Sequence, residues 1–218
     1  KNSVGESWKS KINKIISRLK KKGSDFQFIT ASENIAWLLN IRGKDPKYTP
    51  IPSGHVLIDQ KKNILFFCDL NKISSSFKKK FKKVKFVDIN YTGKILSKIN
   101  GKKFIIDKNT CSIYFEKIIL KGNKILNQND CIYYLKSIKT KKEIENIKKV
   151  HIYDGAALTK YLFWIKKNFL KKKITEISGA QKLLNLRKEN KIFKFPSFPT
   201  ISGTGPNGAI IHYNPTTR

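Results

Sequence analysis

The sequence predicts an α/β domain with a mixed sheet over residues 1–138 and a second domain that opens on a long helix, over residues 139–218. Three observations carry this reading. Strand-like and helix-like segments alternate through the first part, a pattern that all-α and all-β folds do not produce. "HVLID" (55–59) and "NILFFCD" (63–69) flank "QKK" as the arms of a hairpin. Thr140 and Glu143 then form a T-x-x-E capping box at the head of a helical pattern that continues to about Phe169.

The elements follow in order. "GESWKSKINKIISRLKKKG" puts Trp8, Ile12, Ile15, Ile16 and Leu19 on one helical stripe, with Gly23 as the stop. "DFQFIT" (25–30) predicts a strand, and "SENIAWLLN" (32–40) a short helix capped by Ser32. "NIRGKDPKYTPIPSG" is a Pro/Gly-rich loop, and the hairpin comes next. "FKKKFKK" predicts a solvated helix end, "VKFVDI" (84–89) and "KFIID" (103–107) two strands with a helix near "GKILSKI" between them, and "CSIYFEKIILKG" (111–122) an amphipathic helix. Past the long helix, "TEISGAQKLLNLRKEN" (175–190) is a further helix with Thr175 as cap and Glu176 in its first turn, where the helix dipole favours an anion. "FPTIS" and "AIIHY" are strand-like, with a glycine segment between them.

Composition narrows the function. The chain has 218 residues, ample for a sizeable core, and 39% of them are hydrophobic, which excludes a disordered chain. It begins at Lys1 and contains no Met, so a piece of a longer protein is expected. No apolar run approaches the ~18 residues of a membrane-spanning helix, and the first residues lack the apolar stretch of a signal peptide. The formal net charge is +31, which taken alone points to a polyanion partner. Its distribution argues for solvated lysine faces instead: Arg occurs only at positions 18, 42, 187 and 218, and Lys, Ile and Asn are abundant throughout. Cys68, Cys111 and Cys131 are too far apart in sequence for a C-x-x-C zinc or redox pair and are read as buried, reduced thiols.

Gly203, Gly205 and Gly208 spell G-x-G-x-x-G, the form of a dinucleotide loop. That loop needs a helix after the glycines to supply amide donors. Here "AIIHYNP" follows, whose β-branched residues and closing Pro215 predict a strand, and Pro206 removes one amide. The glycines are therefore read as a strand-to-strand connection. In a strand, Ile210, His212 and Asn214 share one face, so His212 is either a partly buried structural histidine or one that faces a cleft. His55 starts a strand beside a loop. His151 has Asp154 at i+3 on the long helix, a spacing that allows contact but makes a poor metal site alone.

Four stretches together resemble one family: "GES…K…I", "ITASENIAWLLNIRGKD", "LKSIKTKKEIENIKKVHIYDGAAL" and "SFPTISGTGPNGAIIHY". They resemble the three-domain aminopeptidase P (Xaa-Pro aminopeptidase) family of the pita-bread, creatinase/prolidase-like metallopeptidases. The resemblance implies a creatinase-N-like middle domain, then the truncated start of an α+β pita-bread catalytic domain, with a further N-terminal domain before Lys1. It implies a cytoplasmic hydrolase that removes the first residue from peptides with proline in second position. Two divalent metals, often manganese, bridged by a water, do the chemistry in that family, and homodimers are common. His212 maps onto the family's "IIHY" histidine, which lies in the substrate pocket beside the metals. The family's ligands (two Asp, one His, two Glu) follow that motif, so they are expected downstream of Arg218, and this chain alone is expected to be inactive. Asp154, Glu143, Glu145 and Glu176 are read as helix caps or surface charges. Trp37 and Leu38 are expected in the core, while Arg42 is open between a domain interface near the cleft and a neighbouring subunit. Two other functions stay in play: a non-catalytic pita-bread binding module, which a longer sequence without carboxylate ligands would favour, and a basic nucleic-acid-binding module, whose affinity would fall steeply with salt.

Overall fold

The computed structural model of the chain describes residues 4–171 and 173–216. They form two compact units: Lys1–Pro46 with Pro50–Thr140, and Lys47–Thr49 with Lys141–Arg218.

The first unit is a six-stranded mixed sheet with helices on both faces. Its strands are β1 (Phe26–Ile29), β2 (His55–Asp59), β3 (Ile64–Cys68), β4 (Val84–Asp88), β5 (Lys103–Ile106) and β6 (Lys124–Asn127), in the order β4-β3-β2-β1-β5-β6. β2 is antiparallel to β1 and β3; the other pairs are parallel. The hairpin register sets Ile58 against Ile64, and the Asp59 carboxylate accepts the amides of Lys61 (2.8 Å) and Asn63 (2.9 Å), which ties the turn. Side chains alternate across a strand, so an apolar run feeds both faces. Val56 and Ile58 join Ile64 and Phe66 under α1 (Trp8–Lys21) and α2 (Ser32–Leu39). Leu57, Phe28, Phe67 and Phe104 pack on the opposite face with Leu96 of α4 (Thr92–Leu96) and Ile119 of α5 (Ile113–Leu120). The short α3 (Ser75–Lys80) carries Lys78, Lys79 and Lys80 of "FKKKFKK", all exposed.

The local signals account for most of these helices. In α1 the Ser7 hydroxyl accepts the Ser10 amide at 3.2 Å, Ile12, Ile15, Ile16 and Leu19 are buried, and Gly23 leaves the helix at φ +54°. Ser32 is not the cap of α2; it is the first helical residue, and Ala31 takes the cap position with its carbonyl accepting from Asn34 and Ile35. Leu38 is fully buried and Trp37 half-buried, with the Lys11 ammonium 3.8 Å from the Trp37 ring centroid. Arg42 donates to the carbonyls of Ala36 (3.3 Å) and Ile41 (2.8 Å) and so closes the end of α2. β6 and α6 (Cys131–Ser137) have no counterpart in the sequence reading. Four and seven residues are too few to show a period, and β6 is an edge strand whose two outer residues are exposed. The three cysteines are free and buried, and burial pushes each thiol up to about 11, which leaves them protonated at neutral pH.

His55 opens β2 half-buried against the rings of Phe115 (4.9 Å) and Phe28 (5.7 Å), and its Nδ1 is buried without a partner. Burial holds its pKa below the ordinary value. The unfolded chain therefore takes up the proton first, and the stability His55 contributes is present when it is neutral and is lost as pH falls from about 6.5 through the folded pKa. Urea midpoints from pH 7 to pH 5 should drop in the parent chain and drop less in His55→Phe; parallel curves would show that His55 is not the group responsible.

The second unit contains α7 (Lys141–Asn168) and α8 (Glu176–Lys188). Ala157 and Leu186 are buried in this unit, and Gly179 allows close approach: a Cβ there would stand 2.9 Å from the Tyr161 hydroxyl. The described residues after α8 form no strand. "FPTIS" is irregular, and "AIIHY" runs from the end of a 3-10 turn (Gly205–Ala209) into a bend and a turn. A strand exists through its neighbour's backbone, and the described residues of this unit contain no other strand for this segment to pair with. The β-branched residues are left outside a sheet, with Ile210 53% and Ile211 85% exposed.

Candidate functional site

The glycine segment is built onto the start of α8. Thr175 caps that helix as the sequence predicts: its hydroxyl accepts the Ser178 amide at 3.1 Å, and the Ser178 hydroxyl accepts the Thr175 amide at 2.9 Å. Glu176 is thereby fixed at the first helical position, but its role is not that of a surface charge. Its Oε1 accepts the Thr204 amide at 2.6 Å and the Asn207 side-chain amide at 3.1 Å, and its Oε2 accepts the Tyr213 hydroxyl at 2.7 Å. Asn207 also donates to the Tyr213 oxygen at 2.9 Å. The hydrogen bond from Tyr213 is the main reason the Glu176 carboxyl lies below its usual pKa, and the same bond raises that of the Tyr213 phenol.

Two of the three glycines have a physical reason in this loop. Gly205 stands at φ +55°, and a Cβ on Gly203 would lie 2.8 Å from the Asn207 carbonyl oxygen. The G-x-G-x-x-G match thus closes a compact turn rather than cradling a phosphate. Gly205 and Gly208 lie inside a five-residue 3-10 turn (Gly205–Ala209) with Pro206 near its start; the Asn207 amide within it and the Ile210 amide just after it are spent on the carbonyls of Thr204 and Asn207.

His212 stands beside Tyr213, in the turn after these residues, and not on a strand face. It is exposed and its backbone is left-handed at φ +55°. Exposure removes the reading of a partly buried structural histidine. His151 is also exposed and its Nδ1 meets the Ile147 carbonyl oxygen at 2.9 Å. Asp154, three residues on, turns to α8 instead, accepting from Arg187 Nε at 2.7 Å and Nη2 at 3.0 Å, a bidentate pair. Glu145 pairs with Lys142 at 3.0 Å on the surface. A cavity of about 610 Å³ opens beside the Asp154–Arg187 pair, walled by Tyr153, Leu183, Phe195 and Phe198; His151 lines it and His212 does not. Among the described residues no three His, Cys, Asp or Glu side chains converge as a metal site would require. Among the described residues no helix is long and apolar enough to cross a membrane.

A family model described as the Creatinase/Prolidase N-terminal domain matches residues 1–143, more than half of the chain. The chain belongs to the creatinase/prolidase family. A second model, Metallopeptidase family M24, matches residues 145–218, so the creatinase-like domain is followed by the start of an M24 domain. Among curated relatives, this family member is 34% identical over 219 residues to a probable Xaa-Pro aminopeptidase P of Laccaria bicolor, covering 97% of this chain and 34% of that protein. It is 31% identical over 229 residues to another from Pyrenophora teres, covering 99% and 35%. The chain spans about a third of the length of these relatives. Its fold matches that of an X-prolyl aminopeptidase from Caenorhabditis elegans, described as a cytosolic enzyme with a di-nuclear active site, with a TM-score of 0.82 at 23% identity over 91% of this chain and 34% of that one. An Xaa-Pro dipeptidase from Bacillus anthracis shares the fold at a TM-score of 0.61 and 18% identity, over 84% of this chain and 49% of that one.

Glu176 and its loop partners are what sequence reasoning missed. One signal is present in the sequence: an acidic residue directly after a capping Thr, a position where the helix dipole alone already accounts for the charge.

Proposed function

We propose that this chain is part of a cytoplasmic Xaa-Pro aminopeptidase, with residues 1–138 as its creatinase-N-like middle domain and residues 139–218 as the opening of its catalytic domain. The observation that carries the proposal is the alignment to curated Xaa-Pro aminopeptidase P sequences along 97–99% of this chain at 31–34% identity. The substrates would be peptides with proline in second position, and the working assembly a homodimer.

The cofactor reading is two divalent metal ions, Mn2+ in the first place. The M24 match and the di-nuclear site of the Caenorhabditis elegans enzyme support the metal pair. In such a site the cations activate a water and polarise the scissile carbonyl. The contribution proposed for this chain is on the substrate side. His212, exposed at the end of the glycine loop, would hydrogen-bond the substrate or the tetrahedral species formed from it.

The test uses a polypeptide of the relatives' full length that contains this sequence, stripped with chelator. It should cleave Xaa-Pro peptides and leave Xaa-Ala peptides intact, lose that activity without metal and regain it with Mn2+. A protein that binds no divalent metal and cleaves neither peptide would overturn the enzyme reading in favour of a binding module.

A further inference from the structure

Thr204, Asn207 and Tyr213 reach Glu176 from a stretch of ten residues that also contains His212. Packing does little to hold that stretch, because it has no strand partner among the described residues and its two isoleucines, Ile210 and Ile211, are exposed. Its own backbone bonds are short-range: Asn207 to Thr204, Ile210 to Asn207, Tyr213 to Ile210. They shape the turn but fasten it to nothing. Among the described residues, the side-chain hydrogen bonds that fasten it converge on one carboxylate, and charge-assisted hydrogen bonds of this kind are about twice as strong as neutral ones. That carboxylate belongs to a helix whose first turn is itself locked by the reciprocal Thr175–Ser178 bonds. A rigid element thus grips both ends of the loop, at Thr204 and at Tyr213, the neighbour of His212.

We infer that Glu176 is the positioning residue of His212: its carboxylate clamps the 204–213 loop to the head of α8 and so decides where the imidazole stands. The role rests on the reading of His212 as a substrate-side group. Glu176 need not touch substrate. It acts through the Tyr213 hydroxyl and the Thr204 amide. Gly203 belongs to the same device, since a Cβ there would press on the Asn207 carbonyl and open the clamp from the other side.

Two measurements test this. In the 218-residue chain, hydrogen exchange across residues 203–213 should quicken by about tenfold or more in Glu176→Ala and in Gly203→Ala, while exchange in α7 stays unchanged. In the full-length enzyme, Glu176→Ala should lower kcat/KM roughly tenfold to a hundredfold, the loss that ångström-scale misplacement of an active-site group brings. Glu176→Gln, which keeps a carbonyl for the Thr204 amide, should lose less. Placed on a His212→Ala background, Glu176→Ala should cost no more than about a further twofold, because the group it positions is gone. Losses that multiply, or Glu176→Ala turnover equal to the parent's, overturn the positioning role. Should Glu176→Ala fail to fold, Glu176→Gln and Tyr213→Phe carry the same comparison. If His212→Ala turns over like the parent, the reading of His212 fails and the role of Glu176 falls with it; the exchange result then reports separately whether the clamp itself is real.

Discussion

Asp130→Ala will destabilise the first unit by about 3 kcal/mol, in the range expected when a buried hydrogen-bonded network loses its central acceptor. Asp130 is only 6% exposed and caps α6, where its Oδ1 accepts the Ile132 amide at 3.1 Å. The same oxygen accepts the Gln27 side-chain amide at 3.0 Å, and Oδ2 accepts that of Asn34 at 2.8 Å. Its own amide donates to Asp107 Oδ2 at 2.9 Å. The carboxylate therefore joins β1 and α2 to the head of α6, and the backbone amide of the same residue ties that point to the loop after β5. Truncation removes a cap worth about 1 kcal/mol and strands two buried amides at about 1 kcal/mol or more each. Part of this is offset, because burial makes the ionised carboxylate itself costly and holds its pKa above the ordinary value. The check is the urea midpoint of the chain at neutral pH, with Asp130→Asn as the milder variant that keeps one acceptor oxygen. A loss below about 1 kcal/mol would mean that water or a relaxed α6 takes over the stranded donors.

His212→Ala in the full-length enzyme will lower kcat/KM by about 2–4 kcal/mol, on the order of thirtyfold to a thousandfold, if the imidazole stabilises the transition state as proposed. The fall should appear in kcat more than in KM, since an interaction made mainly in the transition state does not contribute to ground-state binding. Stability should barely change, because the side chain is exposed. The backbone complicates a simple truncation: at φ +55° an Ala is mildly strained. His212→Asn, which tolerates the left-handed region and cannot act as an imidazole, separates the two effects. Equal losses in both variants point to the missing ring; activity kept in His212→Asn but lost in His212→Ala points to the backbone.

Much of the first unit was legible in the sequence because its signals are local. The α1 stripe, the "QKK" turn tied by Asp59 and the Thr175 cap each involve residues within a few positions of one another. β6 and α6 were not legible, being too short to show a period. Ser32 was misread as a cap because a Ser before an apolar run looks the same whether it stands at the cap or one place inside the helix. Asp154 met Arg187, 33 positions away, rather than its sequence neighbour His151.

By itself the sequence determined the α/β class, the mixed sheet and the family. Apolar periodicity, turn chemistry and family motifs are all written along the chain. Only the tertiary structure decided the conformation of "AIIHY" and the task of Glu176. A β-branched segment becomes a strand only where another strand meets its backbone, and a carboxylate becomes a clamp only where distant donors converge on it. Neither condition can be read from a residue's own neighbours in sequence.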